Sequence, residues 1–208
     1  MSRFAAALED AARQTSCWLD ARLPIGSEGE GPCGNALYEA MRASVLAPGK
    51  RFRPFLVTAC GGLFGVPVAS ALPVAAAIEC LHAFSLIHDD LPAMDNSPLR
   101  RGLPSCHVRF GEAVAILAGD ALQTEAFAIL LDPVTHPDAA VRLSLASGLA
   151  AASGANGMVL GQALDMEAEK GNFDLARTEH MQRLKTGALI AFSCEAGGIL
   201  GQASPAHL

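Results

Sequence analysis

Apolar positions recur with helical spacing along most of this chain. Residues 3 to 22 carry Phe4, Leu8, Ala11, Ala12, Cys17 and Leu19 as an approximate stripe, which predicts an amphipathic helix. The glycine-rich stretch Ser27 to Gly34 predicts a loop, and Asn35 to Leu46 a second helix ended by Pro48-Gly49. A third helix opens at Lys50 to Pro54, where proline is tolerated in the first turn. After the Gly61-Gly62 and Gly65-Val66-Pro67 breaks, Pro73 to about Asp90 predicts a largely buried helix. Pro92 stops it, because it lacks a backbone donor and pushes Leu91 out of helical space. Gly111 to Leu131 predicts another helix, stopped by Asp132-Pro133, and Asp138 or a neighbour starts an Ala-rich one that runs to near Gly171. Asn172-Phe173-Asp174 reads as the N-cap region of a helix through Met181 and Leu184. Lys185-Thr186-Gly187 interrupts that helix, and Gly187 is expected to loosen the backbone enough to expose a carbonyl.

Composition turns this list of helices into a fold class. Few aromatics, many alanines and few β-branched runs argue for an all-α protein, and 208 residues with 51% hydrophobic content suit a single domain over residues 1 to 208. A net charge of -6 gives no reason to expect nucleic acid. Cys17, Cys33, Cys60, Cys80, Cys106 and Cys194 form no C-x-x-C pair, so buried free thiols are expected rather than zinc or a redox dithiol. Glu9, Asp10 and Asp20 lie where an export signal or transit peptide would avoid acids, so a cytoplasmic protein is expected. Leu143 to Leu164 has no charge and is long enough to span a bilayer. Asn156, Gln162, three serines and four glycines break it up, which favours a core helix over a membrane span.

The candidate chemistry gathers at the end of the most apolar helix. Asp89, Asp90 and Asp95 crowd a helix C-terminus, where the helix dipole and mutual repulsion both oppose them. A cation resolves that conflict. Carboxylates without cysteine suit Mg²⁺, which takes one or two protein carboxylates and fills its other positions with water or phosphate oxygens. Arg100-Arg101 follow closely and suit a diphosphate. Lys50 and Arg53 make a second anion site at a helix N-terminus, and His82 shares a helical face with Ser85 or Leu86 and with Asp89. Two other readings stay open on residues alone. An Asp-Asp pair beside a turn is commonly a solvated loop, and His88-Asp89 with His82 and Asp120 resembles the ligands of a helical metal-dependent phosphohydrolase.

The segment Asp89-Asp90-Leu91-Pro92-Ala93-Met94-Asp95, followed by Arg100-Arg101-Gly102, resembles the first aspartate-rich motif of trans-isoprenyl diphosphate synthases in its longer-spaced bacterial form. The resemblance runs from about Gly49 to Ile190. It takes in Gly49-Lys50-Arg51-Phe52-Arg53-Pro54, Phe110-Gly111-Glu112 through Ala118-Gly119-Asp120-Ala121, Gly161-Gln162-Ala163-Leu164-Asp165 and Lys185-Thr186-Gly187. Within the family it is nearest to the bacterial farnesyl diphosphate synthases.

The resemblance implies an all-α isoprenoid-synthase bundle around a central cavity, and head-to-tail transfer of an allylic group onto isopentenyl diphosphate. It implies Mg²⁺ on Asp89, Asp95 and Asp90, with Arg100 and Lys185 on the allylic diphosphate. It further implies Lys50, Arg53, His82 and Arg101 on isopentenyl diphosphate, with Thr186, Gln162 and the Lys185 carbonyl near the cation. Phe84, with Ser85 beside it, is implied to limit product length to C15, although five residues turn Phe84 about 140° from Asp89 on an ideal helix. A homodimer is implied as well. One departure stands out: the family carries a second aspartate-rich cluster further along, and none follows Lys185. The expectation is therefore a chain whose C-terminal helices are missing. The alternatives are a geranylgeranyl diphosphate synthase or a noncatalytic subunit that keeps only the first diphosphate site.

Overall fold

The computed structural model describes residues 2–169, 171, 173–204, 206 and 207, and they form a helical bundle. The helices are α1 (Arg3–Arg22), α2 (Gly31–Val45), α3 (Phe52–Leu63), α4 (Val68–Asp89), α5 (Cys106–Phe110), α6 (Glu112–Leu131), α7 (Ala139–Ser153), α8 (Met158–Ala168), α9 (Leu175–Gln182) and α10 (Ala188–Leu200). A π-helical turn, Arg183–Gly187, joins α9 to α10. Two short strands, β1 (Leu99–Arg100) and β2 (Leu103–Pro104), pair antiparallel between α4 and α5.

At the centre stands α4, apolar on nearly all sides, with Val74 through Leu81 continuously buried. A helix that is hydrophobic all round belongs inside a bundle. It packs against α6 and α3, and α10 lies along α3 on the other side. Three helical stretches, Val68–Asp89, Glu112–Leu131 and Ala139–Ala168, are long and apolar enough to cross a bilayer. In this fold α4 places its apolar surface in the core.

Several boundaries differ from the pattern-based expectation, each for a local reason. Helix α2 starts at Gly31 rather than Asn35, because Pro32 in its first turn needs no intrahelical partner for its nitrogen. Helix α4 starts at Val68, with the extended Pro67 as N-cap, and carries Pro73 inside it. There Pro73 forfeits one backbone bond in a segment that tertiary packing encloses. The expected Ala-rich helix is two helices, broken at Gly154–Gly157. Asp138 caps α7 by accepting from the Ala140 N–H at 2.8 Å. Asp174 caps α9 by accepting from the Arg177 N–H at 2.8 Å, whereas Asn172 lies outside the described residues. The thiols are not uniformly buried: Cys80 and Cys106 are, but Cys17 and Cys33 are exposed.

Candidate active site

Helix α4 brings a face of polar side chains to a cavity of about 510 Å³ walled by α4, α8 and the π-turn. His82, Ser85, Leu86 and Asp89 all line it, as their shared helical face predicts. Phe84 lines it too. The angular argument from an ideal helix aims Phe84 elsewhere, but the cavity wraps round α4, and the ring meets His88 edge-on with centroids 4.8 Å apart. Arg53 enters from α3, Gln162 from α8, and Lys185 and Thr186 from the π-turn. That turn lies where it does because α8 has no side chain at Gly161. A Cβ there would fall on the backbone of Lys185.

Asp89 is the hub of this cavity. Its carboxylate accepts from the Gln162 amide at 2.5 Å, and the Lys185 ammonium stands 3.8 Å away. Lys185 also donates to Asp165 at 2.5 Å, so α8 and the π-turn are tied together. Burial raises the Asp89 carboxyl above its usual range; Lys185 and Arg100 pull it down, while Asp95 and Asp90 push it further up. Asp95 is exposed and is held beside Asp89 by the loop, its N–H donating to the Asp89 carbonyl at 3.0 Å. A carboxylate in the cavity with an exposed one on the adjoining loop suits an ion that draws its other ligands from water and phosphate. Among the described residues, no three His, Cys, Asp or Glu side chains converge as a closed metal site.

Asp90 is placed differently from its neighbour. It is 2% exposed, and Arg100 Nε donates to its two oxygens at 3.1 and 3.0 Å. Both residues line a small separate hollow, so Asp90 is turned away from the cavity that Asp89 faces. Helical rotation causes this, since consecutive residues point about 100° apart. Asp120 is exposed and lies 3.8 Å from His88.

The hairpin explains how adjacent arginines serve different places. Arg101 and Gly102 occupy its two-residue turn, both with positive φ, at 53° and 79°. Arg100 points to Asp90, and Arg101 reaches back to donate to the Pro48 carbonyl at 2.9 Å. There it joins Lys50, Arg53 and His82 around a second cavity of about 860 Å³, which shares Arg53 and His82 with the first. Burial pushes His82 down to about 3, helped by Arg53, Arg101, Arg51 and Arg100, so its imidazole is neutral. Two residues here escaped the sequence reading: Arg51, and Glu79, whose carboxylate meets Arg51 Nη1 at 3.0 Å. A lone acid inside the apolar run of α4 was the available signal.

Comparison with known proteins shows the family. The polyprenyl synthetase family model matches residues 34–208. The chain is 55% identical over 165 residues to a farnesyl diphosphate synthase of Escherichia coli, an alignment covering 77% of this chain and 54% of that protein. It is 49% identical over 176 residues to one from Geobacillus stearothermophilus, covering 84% of this chain and 58% of the relative. A crystal structure of an FPP/GFPP synthase from Zymomonas mobilis superimposes with a TM-score of 0.91 at 46% identity, covering 96% of this chain and 71% of that one. The chain thus spans a little over half the length of these two curated relatives. By this match across most of its length, the chain belongs to the polyprenyl synthetase family, the trans-isoprenyl diphosphate synthases.

Proposed function

We propose that this chain is a magnesium-dependent prenyltransferase that condenses isopentenyl diphosphate with dimethylallyl or geranyl diphosphate to give farnesyl diphosphate. The observation that carries this reading is that Asp89, Lys185, Arg53 and His82 wall one cavity of about 510 Å³. The Asp89 carboxylate for a metal and cations for a diphosphate stand at its polar end, and Phe84, Met158 and Met166 make it apolar within. Such a site suits a substrate with an anionic head and a hydrocarbon tail.

Asp89 and Asp95 would hold Mg²⁺, with Asp90 supporting the site through Arg100 rather than as a ligand. Bound there, the ion would supply Lewis-acid stabilisation of the departing diphosphate. Lys185 adds positive charge at the same lip. Lys50, Arg53, His82 and Arg101 hold isopentenyl diphosphate in the adjoining cavity. The allylic C1–O bond ionises first and releases diphosphate, the double bond of isopentenyl diphosphate then attacks C1 of the resulting cation, and a proton is lost to the released diphosphate. Gln162, Thr186 and the Lys185 carbonyl present oxygen atoms toward the transient cation, and the apolar wall excludes water. Phe84 closes the cavity and sets a C15 product. The same reading makes the protein a cytoplasmic homodimer, with exposed Ile116 and Leu117 of α6 available to a second copy.

Incubation with isopentenyl and geranyl diphosphates in Mg²⁺, followed by analysis of the prenyl products, tests the assignment. Farnesyl diphosphate is the expected product. Diphosphate binding without any prenyl product would support the noncatalytic subunit.

A further inference from the structure

Glu79 is a carboxylate inside an anion-binding cavity, which simple electrostatics disfavours. Its side chain is 5% exposed and that of Arg51 is 2% exposed, with Arg51 Nη1 and Glu79 Oε1 3.0 Å apart. The other Arg51 terminal nitrogen donates to the Val45 and Ala47 carbonyls at 2.6 and 2.8 Å. A cation on the carbonyls that end α2 is favourable in itself. The Arg51 backbone is left-handed, φ 48°, a conformation that costs a non-glycine residue and persists only where contacts fix it.

The neighbouring loop is fitted to the same group. Gly49 leaves room for two guanidinium groups: a Cβ there would collide with Arg101 and come within 2.7 Å of Arg51 Nη1. Arg101 is anchored by its bond to the Pro48 carbonyl. Arg53 comes from the first turn of α3, and its Nε is buried without a hydrogen-bond partner. Arg51, Arg53 and Arg101 therefore share one cavity with Lys50 and a single buried carboxylate. A lone buried acid can fix the spacing of like charges that would otherwise repel, and it leaves the cluster with an excess of positive charge.

We propose that Glu79 is a positioning residue of the basic cavity: through Arg51 it fixes the Pro48–Arg53 loop so that Arg53 and Arg101 stand ready for a diphosphate. The inference rests on the reading of that cavity as a diphosphate site. It runs against the naive expectation, since deleting a negative charge from an anion site should strengthen anion binding. Loss of positioning predicts the opposite.

The test is calorimetric titration of the full chain with inorganic diphosphate in EDTA, which silences the metal-dependent lip and reads the basic cavity alone. The unsubstituted chain is expected to bind, and Glu79→Gln to bind about tenfold more weakly while keeping its helical circular dichroism. Gly49→Ala, which removes no charge and displaces the Arg51 and Arg101 guanidinium groups, is expected to weaken binding similarly, and it decides the matter should Glu79→Gln fail to fold. Equal or tighter binding by a folded Glu79→Gln, or unchanged binding by Gly49→Ala, overturns the role of Glu79 alone. Failure of the unsubstituted chain to bind overturns the diphosphate cavity along with it.

Discussion

The Gln162 amide donates to the Asp89 carboxylate at 2.5 Å, joining α8 to α4 across 73 residues of sequence. This bond orients the carboxylate proposed to take the metal. Residues that orient a metal ligand typically contribute about 10–100-fold to metal affinity. Gln162→Leu is therefore expected to weaken Mg²⁺-dependent diphosphate binding within that range, as read by calorimetry, with the fold intact.

Asp89 and Asp90 are neighbours with separable effects. Asp90→Leu leaves Arg100 without its buried partner, and Arg100→Met strands a carboxylate that is 2% exposed. Breaking a fully buried pair costs about 3–5 kcal/mol, and the partial exposure of Arg100 lowers that to about 2–3 kcal/mol. Urea unfolding is expected to show this loss for both changes. Asp89→Asn is expected to leave the urea midpoint nearly unchanged and to abolish Mg²⁺-dependent binding.

Phe84 walls the cavity and rests edge-on against His88. Phe84→Ala lengthens the apolar chamber. In chain that turns over, the product distribution is expected to shift from C15 to longer prenyl groups, read by chromatography of the dephosphorylated products. The stability cost is expected to fall below the ~3–5 kcal/mol typical of a core Phe→Ala change, because one side of the ring already faces a cavity.

His82 gives the fold a pH dependence of definite sign. Its folded value is pushed to about 3 by burial and neighbouring arginines, against an ordinary value of 6.5. The folded state thus binds fewer protons than the unfolded chain between those values. Its contribution to stability is present above 6.5 and is lost as the pH falls toward 3. Between about pH 7 and pH 5 the urea midpoint of the unsubstituted chain should drop more than that of His82→Asn.

Helix periodicity made the frame of the site legible in the sequence. The face carrying His82, Ser85 and Asp89 follows from spacing, and it lines the cavity. What spacing could not show was direction at element ends. Asp90 differs from Asp89 by one residue of rotation and faces a separate hollow; Arg100 and Arg101 both border that hollow, but Arg101, one position further into the hairpin turn, also reaches the basic cavity. Glu79 and Arg51 were missed because their meaning lies in a contact between α4 and the start of α3, which no local pattern encodes. Pro73 misled in the opposite direction, since packing around α4 outweighs the local penalty of an internal proline.

On the proposed function, Asp89 and Lys185 converge, through magnesium, on the allylic diphosphate. Calorimetric titration with geranyl diphosphate in Mg²⁺ and in EDTA tests it most directly. Saturable binding that is stronger in Mg²⁺ than in EDTA, where only the basic cavity can hold a diphosphate, is the expected result, with that Mg²⁺-dependent gain lost in Asp89→Asn. Binding of equal strength with and without Mg²⁺, untouched by Asp89→Asn, would contradict it.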